Sequence, residues 1–145
     1  MSTSGSWRSS HDDLSRQLES RPRILIVEAE DRVRHLLVAV LATGEFDIVE
    51  TSSGSVALAL SETWCPDILL LDVEVPDLDG PTVHRMLAQR PQTNGIGILL
   101  LTCTGSDIGP ARAVMAVADV CLTKPFRIRD LRAGVRGLLL RKVAR

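Results

Sequence analysis

Five short, largely unbroken apolar runs recur along the chain, and each interval between them carries a helical pattern. The runs are RILIVE (23–28), FDIVE (46–50), DILLLD (67–72), IGILLLT (96–102) and DVCLT (119–123). Between the first two, Val33, Leu36, Leu37, Val40 and Leu41 recur at helical spacing, and Gly44 stops the helix. Val56, Leu60 and Trp64 mark a second helix that ends before Pro66. Thr82–Gln89 reads as a third, with Pro81 suited to its first turn. SDIGPARAVMAV (106–117) gives a fourth, and a last helix is expected to bury Ile128, Leu131, Val135 and Leu138. Strands and helices alternating in this way predict an α/β fold, a parallel sheet covered by helices on both faces.

At 145 residues, 45% hydrophobic and 24% charged, the chain suits one soluble domain with a real core. Two Phe, two Trp and no Tyr leave the core to aliphatic side chains and argue against aromatic platforms for bases or sugars. Residues 1–22 are polar and read as a flexible N-terminal extension with a short helix around Asp12–Glu19; residues 23–145 form the domain. The start has no apolar h-region, and no apolar run approaches the roughly 18 residues of a membrane span. Cys65, Cys103 and Cys121 are widely spaced, odd in number and without metal-ligand spacing, so buried free thiols in a reducing cytoplasm are expected.

The net charge of −1 hides an uneven distribution. Residues 24–126 hold six Lys/Arg against fourteen Asp/Glu, whereas residues 127–145 hold seven basic groups against Asp130 alone. The basic last helix reads either as a partner surface or as charge shown to solvent. An acidic body makes nucleic-acid binding unfavourable. His11, His35 and His84 are scattered and belong to no catalytic or metal-spaced pattern.

In an open parallel sheet, ligands sit outside the carboxyl ends of the strands. The first strand ends at Glu28-Ala29-Glu30, the third at Asp72, the fourth at Thr102, and the fifth runs into Lys124-Pro125-Phe126. Two carboxylates, a hydroxyl and an ammonium thus converge from four strands. That set suits phosphoryl chemistry: a carboxylate nucleophile, a divalent cation held through carboxylates and water, and a Lys and a Thr for the equatorial oxygens.

With ILIVE, PDILLLDVEVPDLDG, ILLLT and ADVCLTKPF in one register, residues 23–140 resemble the receiver domain of bacterial two-component response regulators. The resemblance implies a doubly wound, flavodoxin-like sheet of five strands in the order 2-1-3-4-5 with five helices. It matches Asp72 to the phosphoacceptor, Lys124 to the phosphate-contacting lysine and Thr102 to the hydroxyl that senses the phosphoryl group. Glu28 matches the first of an acidic pair that serves Mg²⁺. Glu74 matches the position whose backbone carbonyl completes the metal shell, and its side chain is expected to reach toward the acceptor pocket. Pro76, Asp79 and Gly80 match the turn after the acceptor strand, and Pro125 the customary cis Lys-Pro bond.

Two positions depart from the family's pattern. Ala29 stands where the second acid usually ligates the metal, so Mg²⁺ binding is expected to be weakened or absent. Glu30 lies further into the turn as a solvent-facing acid, with Asp31 expected to cap the first helix. Cys121 stands where an aromatic ring usually swings with the Thr, so that coupled signal is expected to be missing or altered.

The leading reading is a cytoplasmic, non-enzymatic signalling receiver phosphorylated on Asp72 by a histidine kinase or histidine phosphotransfer protein. Its response would be carried by the face of the fourth helix, fifth strand and fifth helix, through which a homodimer would also form. No membrane partner and no output domain are expected. The rival is a pseudo-receiver, an interaction module that does not switch through phosphate. A flavodoxin-like cofactor-binding protein or other α/β enzyme has less support, because neither a P-loop nor a dinucleotide-binding glycine motif is present.

Overall fold

Each of the apolar runs forms a strand, and the strands pair in parallel in the order β2-β1-β3-β4-β5. The computed structural model describes residues 20–103 and 119–144. Within them lie β1 (Arg23–Val27), α1 (Asp31–Leu41), β2 (Asp47–Thr51), α2 (Gly54–Thr63), β3 (Ile68–Asp72), α3 (Gly80–Ala88), β4 (Gly97–Cys103), β5 (Val120–Lys124) and α4 (Ile128–Ala144). The helix expected over residues 106–117 and the short one around Asp12–Glu19 fall outside the described residues. Among the described residues, no helix is long and apolar enough to cross a membrane.

Side chains alternate across a strand, so each central strand feeds two cores. Ile24, Ile26, Ile68, Leu70, Leu99 and Leu101 point to the face covered by Leu37, Val40 and Leu41 of α1 and by Leu131, Val135 and Leu138 of α4. Leu25, Val27, Leu69, Leu71, Ile98 and Leu100 point to the other, where Ala57 of α2 and Val83 and Leu87 of α3 meet them. Residues 24–27 and 68–71 are wholly buried, which accounts for the absence of polar interruption in their sequence. The last helix comes close to the sheet because residue 134 is glycine: a Cβ there would lie 2.9 Å from Leu99 Cδ1.

Local signals set most of the boundaries. Ser53 caps α2 by accepting from the Val56 N–H at 3.2 Å, and Asp79 caps α3 by accepting from the Thr82 N–H at 2.9 Å. Thr82, through its hydroxyl and its N–H, holds the Asp79 carboxyl below its ordinary value.

The structure corrects five expectations. Ile128, expected to be buried, is 44% exposed; Leu36 and Val56, also at helical spacing, are 46% and 47% exposed, because the buried stripe of each helix is narrower than its apolar pattern. The N-cap of α1 is Glu30, which makes no side-chain capping bond, and Asp31 is already the first helical residue. That helix ends at Leu41, before Gly44, whose φ of 88° instead serves the turn into β2. α3 begins at Gly80, two residues earlier than Thr82, as the Asp79 cap dictates. The thiols are free, but Cys65 is exposed and Cys103 and Cys121 are only half-buried, since two lie at strand ends or edges and one in a turn.

Candidate functional site

The strand order sets the carboxyl ends of β1, β3, β4 and β5 side by side. β3 registers Asp72 against Leu101 of β4, and β5 registers Lys124 against Cys103. Glu28 follows β1 directly, its N–H donating to the Thr51 carbonyl at 3.1 Å. It is fully buried, and Asp72 is 4% exposed.

Three of the expected side chains meet here. Lys124 Nζ lies 2.6 Å from Glu28 Oε1 and 3.5 Å from Asp72 Oδ1. The Glu74 N–H donates to Asp72 Oδ1 at 3.1 Å, and the Ala29 N–H reaches Asp72 Oδ2 at 3.5 Å. Ala29 thus contributes its backbone to the site and no carboxylate. The Glu74 side chain is exposed, and its contact with Asp72 is through the main chain. Thr102 is buried beside the cluster, but its hydroxyl donates to the Cys103 carbonyl at 3.4 Å rather than to Asp72. The Lys124–Pro125 peptide bond is cis.

Burial raises the Glu28 carboxyl from 4.5 to about 7. The hydrogen bond from Lys124 opposes that rise and the neighbouring charge of Asp72 adds to it. Burial also works to lower the Lys124 ammonium, but the Glu28 hydrogen bond and the charges of Asp72 and Glu28 outweigh it and hold Lys124 above 10.5. The half-buried Cys121 thiol is raised by the same loss of water.

Arg34 is a site-shaping residue that the sequence reading passed over. Its guanidinium donates to the Glu28 carbonyl at 3.1 Å, to Asp31 at 2.6 Å and to Glu50 at 3.1 Å. It therefore ties the turn that carries Glu28 and Ala29 to both α1 and β2. Asp31 and Arg34 stand three apart on a helix, a spacing that signals their pairing, but nothing local points to Glu50 or the carbonyl.

A buried carboxylate held by a lysine at the end of a parallel sheet, beside a second one ending the central strand, defines a receiver-type acidic pocket. Residues 24–136 match the model of the response regulator receiver domain, and the chain belongs to that family. It is 33% identical over 120 residues to the DNA-binding dual master transcriptional regulator RpaA of Synechocystis, covering 83% of this chain and 50% of that protein. It is 35% identical over 119 residues to the alkaline phosphatase synthesis transcriptional regulatory protein PhoP of Bacillus subtilis, covering 82% and 49%. The chain thus spans about half the length of these relatives. Among solved structures, the signal receiver domain of a signal transduction histidine kinase from Syntrophus aciditrophicus superposes with a TM-score of 0.74 at 28% identity, covering 81% of this chain and 89% of that one.

Receiver domains generally bind Mg²⁺ at the phosphorylation site. Among the described residues, no group of three or more His, Cys, Asp or Glu is arranged to hold a metal. Glu28 Oε2, however, is buried without a hydrogen-bond partner among the described residues, and Asp72 is its carboxylate neighbour. Two hard oxygen donors fit a Mg²⁺ ion that keeps most of its water.

Proposed function

We propose that this receiver accepts a phosphoryl group on Asp72 from a histidine kinase or histidine phosphotransfer protein and signals by protein–protein contact. The observation that carries the reading is the Asp72 carboxylate, which ends β3 with the Lys124 ammonium 3.5 Å away and the Glu74 N–H on one oxygen. An Asp72 oxygen attacks the phosphorus, a P–O bond forms, and the P–N bond to the donor imidazole breaks with its electron pair returning to the ring. Lys124 and the backbone N–H groups of Ala29 and Glu74 offset the charge gathered there. Thr102 reaches the new phosphoryl oxygen by turning its hydroxyl away from Cys103. Mg²⁺ held by Glu28, Asp72 and the Glu74 carbonyl would offset charge on the transferring oxygens, more weakly than usual because Ala29 supplies no ligand.

The test is intact mass after incubation with a small-molecule phosphodonor, with Mg²⁺ and with chelator. A gain of one phosphoryl group that requires Mg²⁺ and vanishes in Asp72→Asn supports the proposal; no gain in a folded protein sinks it. Ala29→Asp is expected to raise Mg²⁺ affinity, read by calorimetric titration.

A second reading has its own support. Lys124 sits closer to Glu28 than to Asp72, so the lysine is already engaged, and Cys121 replaces the ring that usually reports the switch. Both features suit a pseudo-receiver that binds partners without phosphate. In either case, the exposed arginines 129, 132 and 136 of α4 offer a basic face to an acidic partner or a second copy. The name of one relative includes DNA binding, but the acidic body of this chain argues against the receiver itself gripping DNA.

A further inference from the structure

We infer that Asp77 is a positioning residue for the Asp72 site: it latches the loop after β3 onto the start of α2 and so holds the Glu74 N–H against the Asp72 carboxylate. The inference rests on the reading of Asp72 as phosphoacceptor.

Asp77 lies at the tip of the loop of residues 73–79, with a φ of 62°. A left-handed backbone is uncommon outside glycine, although Asp tolerates it better than most residues. Its carboxylate accepts from the Gly54 N–H at 3.0 Å, the Ser55 N–H at 3.3 Å, the Ser53 hydroxyl at 2.9 Å and the Ser55 hydroxyl. The two N–H groups belong to the first turn of α2, where backbone donors have no partner within the helix and the dipole favours a negative charge. The hydroxyls of Ser55 and Ser53, foremost among these partners, hold the Asp77 carboxyl far below its ordinary range despite its exposure.

The contact extends to the backbone. A Cβ on Gly54 would stand 1.8 Å from the Leu78 carbonyl oxygen, so only glycine lets the loop lie directly on the helix. At its base the loop is tied to the sheet by the Val73 N–H on the Leu101 carbonyl at 3.0 Å, and Val75 is buried in the core under α2 and α3. Glu74 sits between base and tip. Its N–H is the shorter of the two backbone contacts to Asp72, 3.1 Å against 3.5 Å from Ala29. A carboxylate that must attack in line depends on such orientation, so release of the tip loosens the nucleophile.

Asp77→Gly tests this cleanly, because glycine keeps the left-handed backbone without strain and removes only the carboxylate. Asp77→Asn, which retains one acceptor oxygen, is the conservative comparison. Amide hydrogen exchange of Glu74 and the rate of phosphoryl uptake from a small-molecule donor are read together. In Asp77→Gly, Glu74 exchange is expected to rise about tenfold or more and uptake to fall several-fold, while Ile26 and Leu70 stay protected; Asp77→Asn falls between. Unchanged Glu74 exchange overturns the latch, and faster exchange with unchanged uptake overturns the positioning role. If Asp77→Gly does not fold, Ser55→Ala removes one hydroxyl donor from the opposite side, leaves the Ser53 cap of α2 in place, and is read in the same way. If the native protein takes up no phosphoryl group, the phosphoacceptor reading fails and the positioning role fails with it, while Glu74 exchange still decides the latch itself.

Discussion

Lys124 divides one positive charge between two buried carboxylates, and the shorter contact goes to Glu28. Removing the lysine leaves Glu28 buried without its counter-ion. Lys124→Met is therefore expected to cost on the order of 3 kcal/mol in urea unfolding at pH 8 with chelator present, and less near pH 5, where Glu28 takes up a proton. The same variant frees a carboxylate oxygen, so its Mg²⁺ affinity, measured by calorimetric titration, is expected to exceed that of the native protein. Glu28 has its own pH signature. Its folded value of about 7 lies above the ordinary 4.5, so the folded state holds the proton longer than the unfolded chain. Below the lower value both states are protonated and nothing is lost. Stability falls as pH rises from about 4.5 to about 7 and then levels off, by on the order of 3 kcal/mol from this group. Glu28→Gln is expected to flatten that segment of the stability–pH curve; an unchanged slope would count against the burial. Ala29 was legible from sequence because its neighbours fix the register. The Glu28–Lys124 bond was not, because it joins residues 96 apart and depends on how far two side chains reach across the two strands between β1 and β5.

At the scale of elements, the strands were easier to read than the helix faces. A strand buried on both sides announces itself as an unbroken apolar run, and each predicted run lies within a residue or so of its observed strand. Helix faces depend on how wide a stripe the sheet covers, which spacing alone does not reveal. Leu36 and Leu37 show the difference: they are neighbours in α1, one 46% exposed and the other wholly buried. Leu37→Ala is expected to cost about 2–5 kcal/mol, and Leu36→Ala under about 1 kcal/mol, in chemical denaturation. Comparable losses would mean that α1 is rotated from the orientation described. Asp77 and Asp79 both stand in the segment between β3 and α3, yet Asp79 starts its own helix and Asp77 reaches back to the helix before it. The partner of Asp77 lies more than twenty residues upstream, so no local pattern discloses it.

At the scale of the molecule, composition located the charge asymmetry but not its use. The strand order came from resemblance, since spacing alone does not say which strands are neighbours. The basic face of α4 also carries Leu140, 70% exposed, among its arginines. If this face pairs two copies, association measured by sedimentation is expected to weaken in Leu140→Ser. An unchanged monomer–dimer equilibrium assigns the face to another partner or to solvent. The two ends of the Lys124 contact also differ in mechanical grounding. Asp72 closes β3, whose five residues are all buried in the middle of the sheet, whereas Lys124 closes β5, a marginal strand with no fully buried residue. The cluster therefore fastens a wholly buried central strand to a half-buried one at the edge of the sheet. If Asp72 changes charge, the wholly buried β3 is expected to yield less than the half-buried β5 at the edge of the sheet.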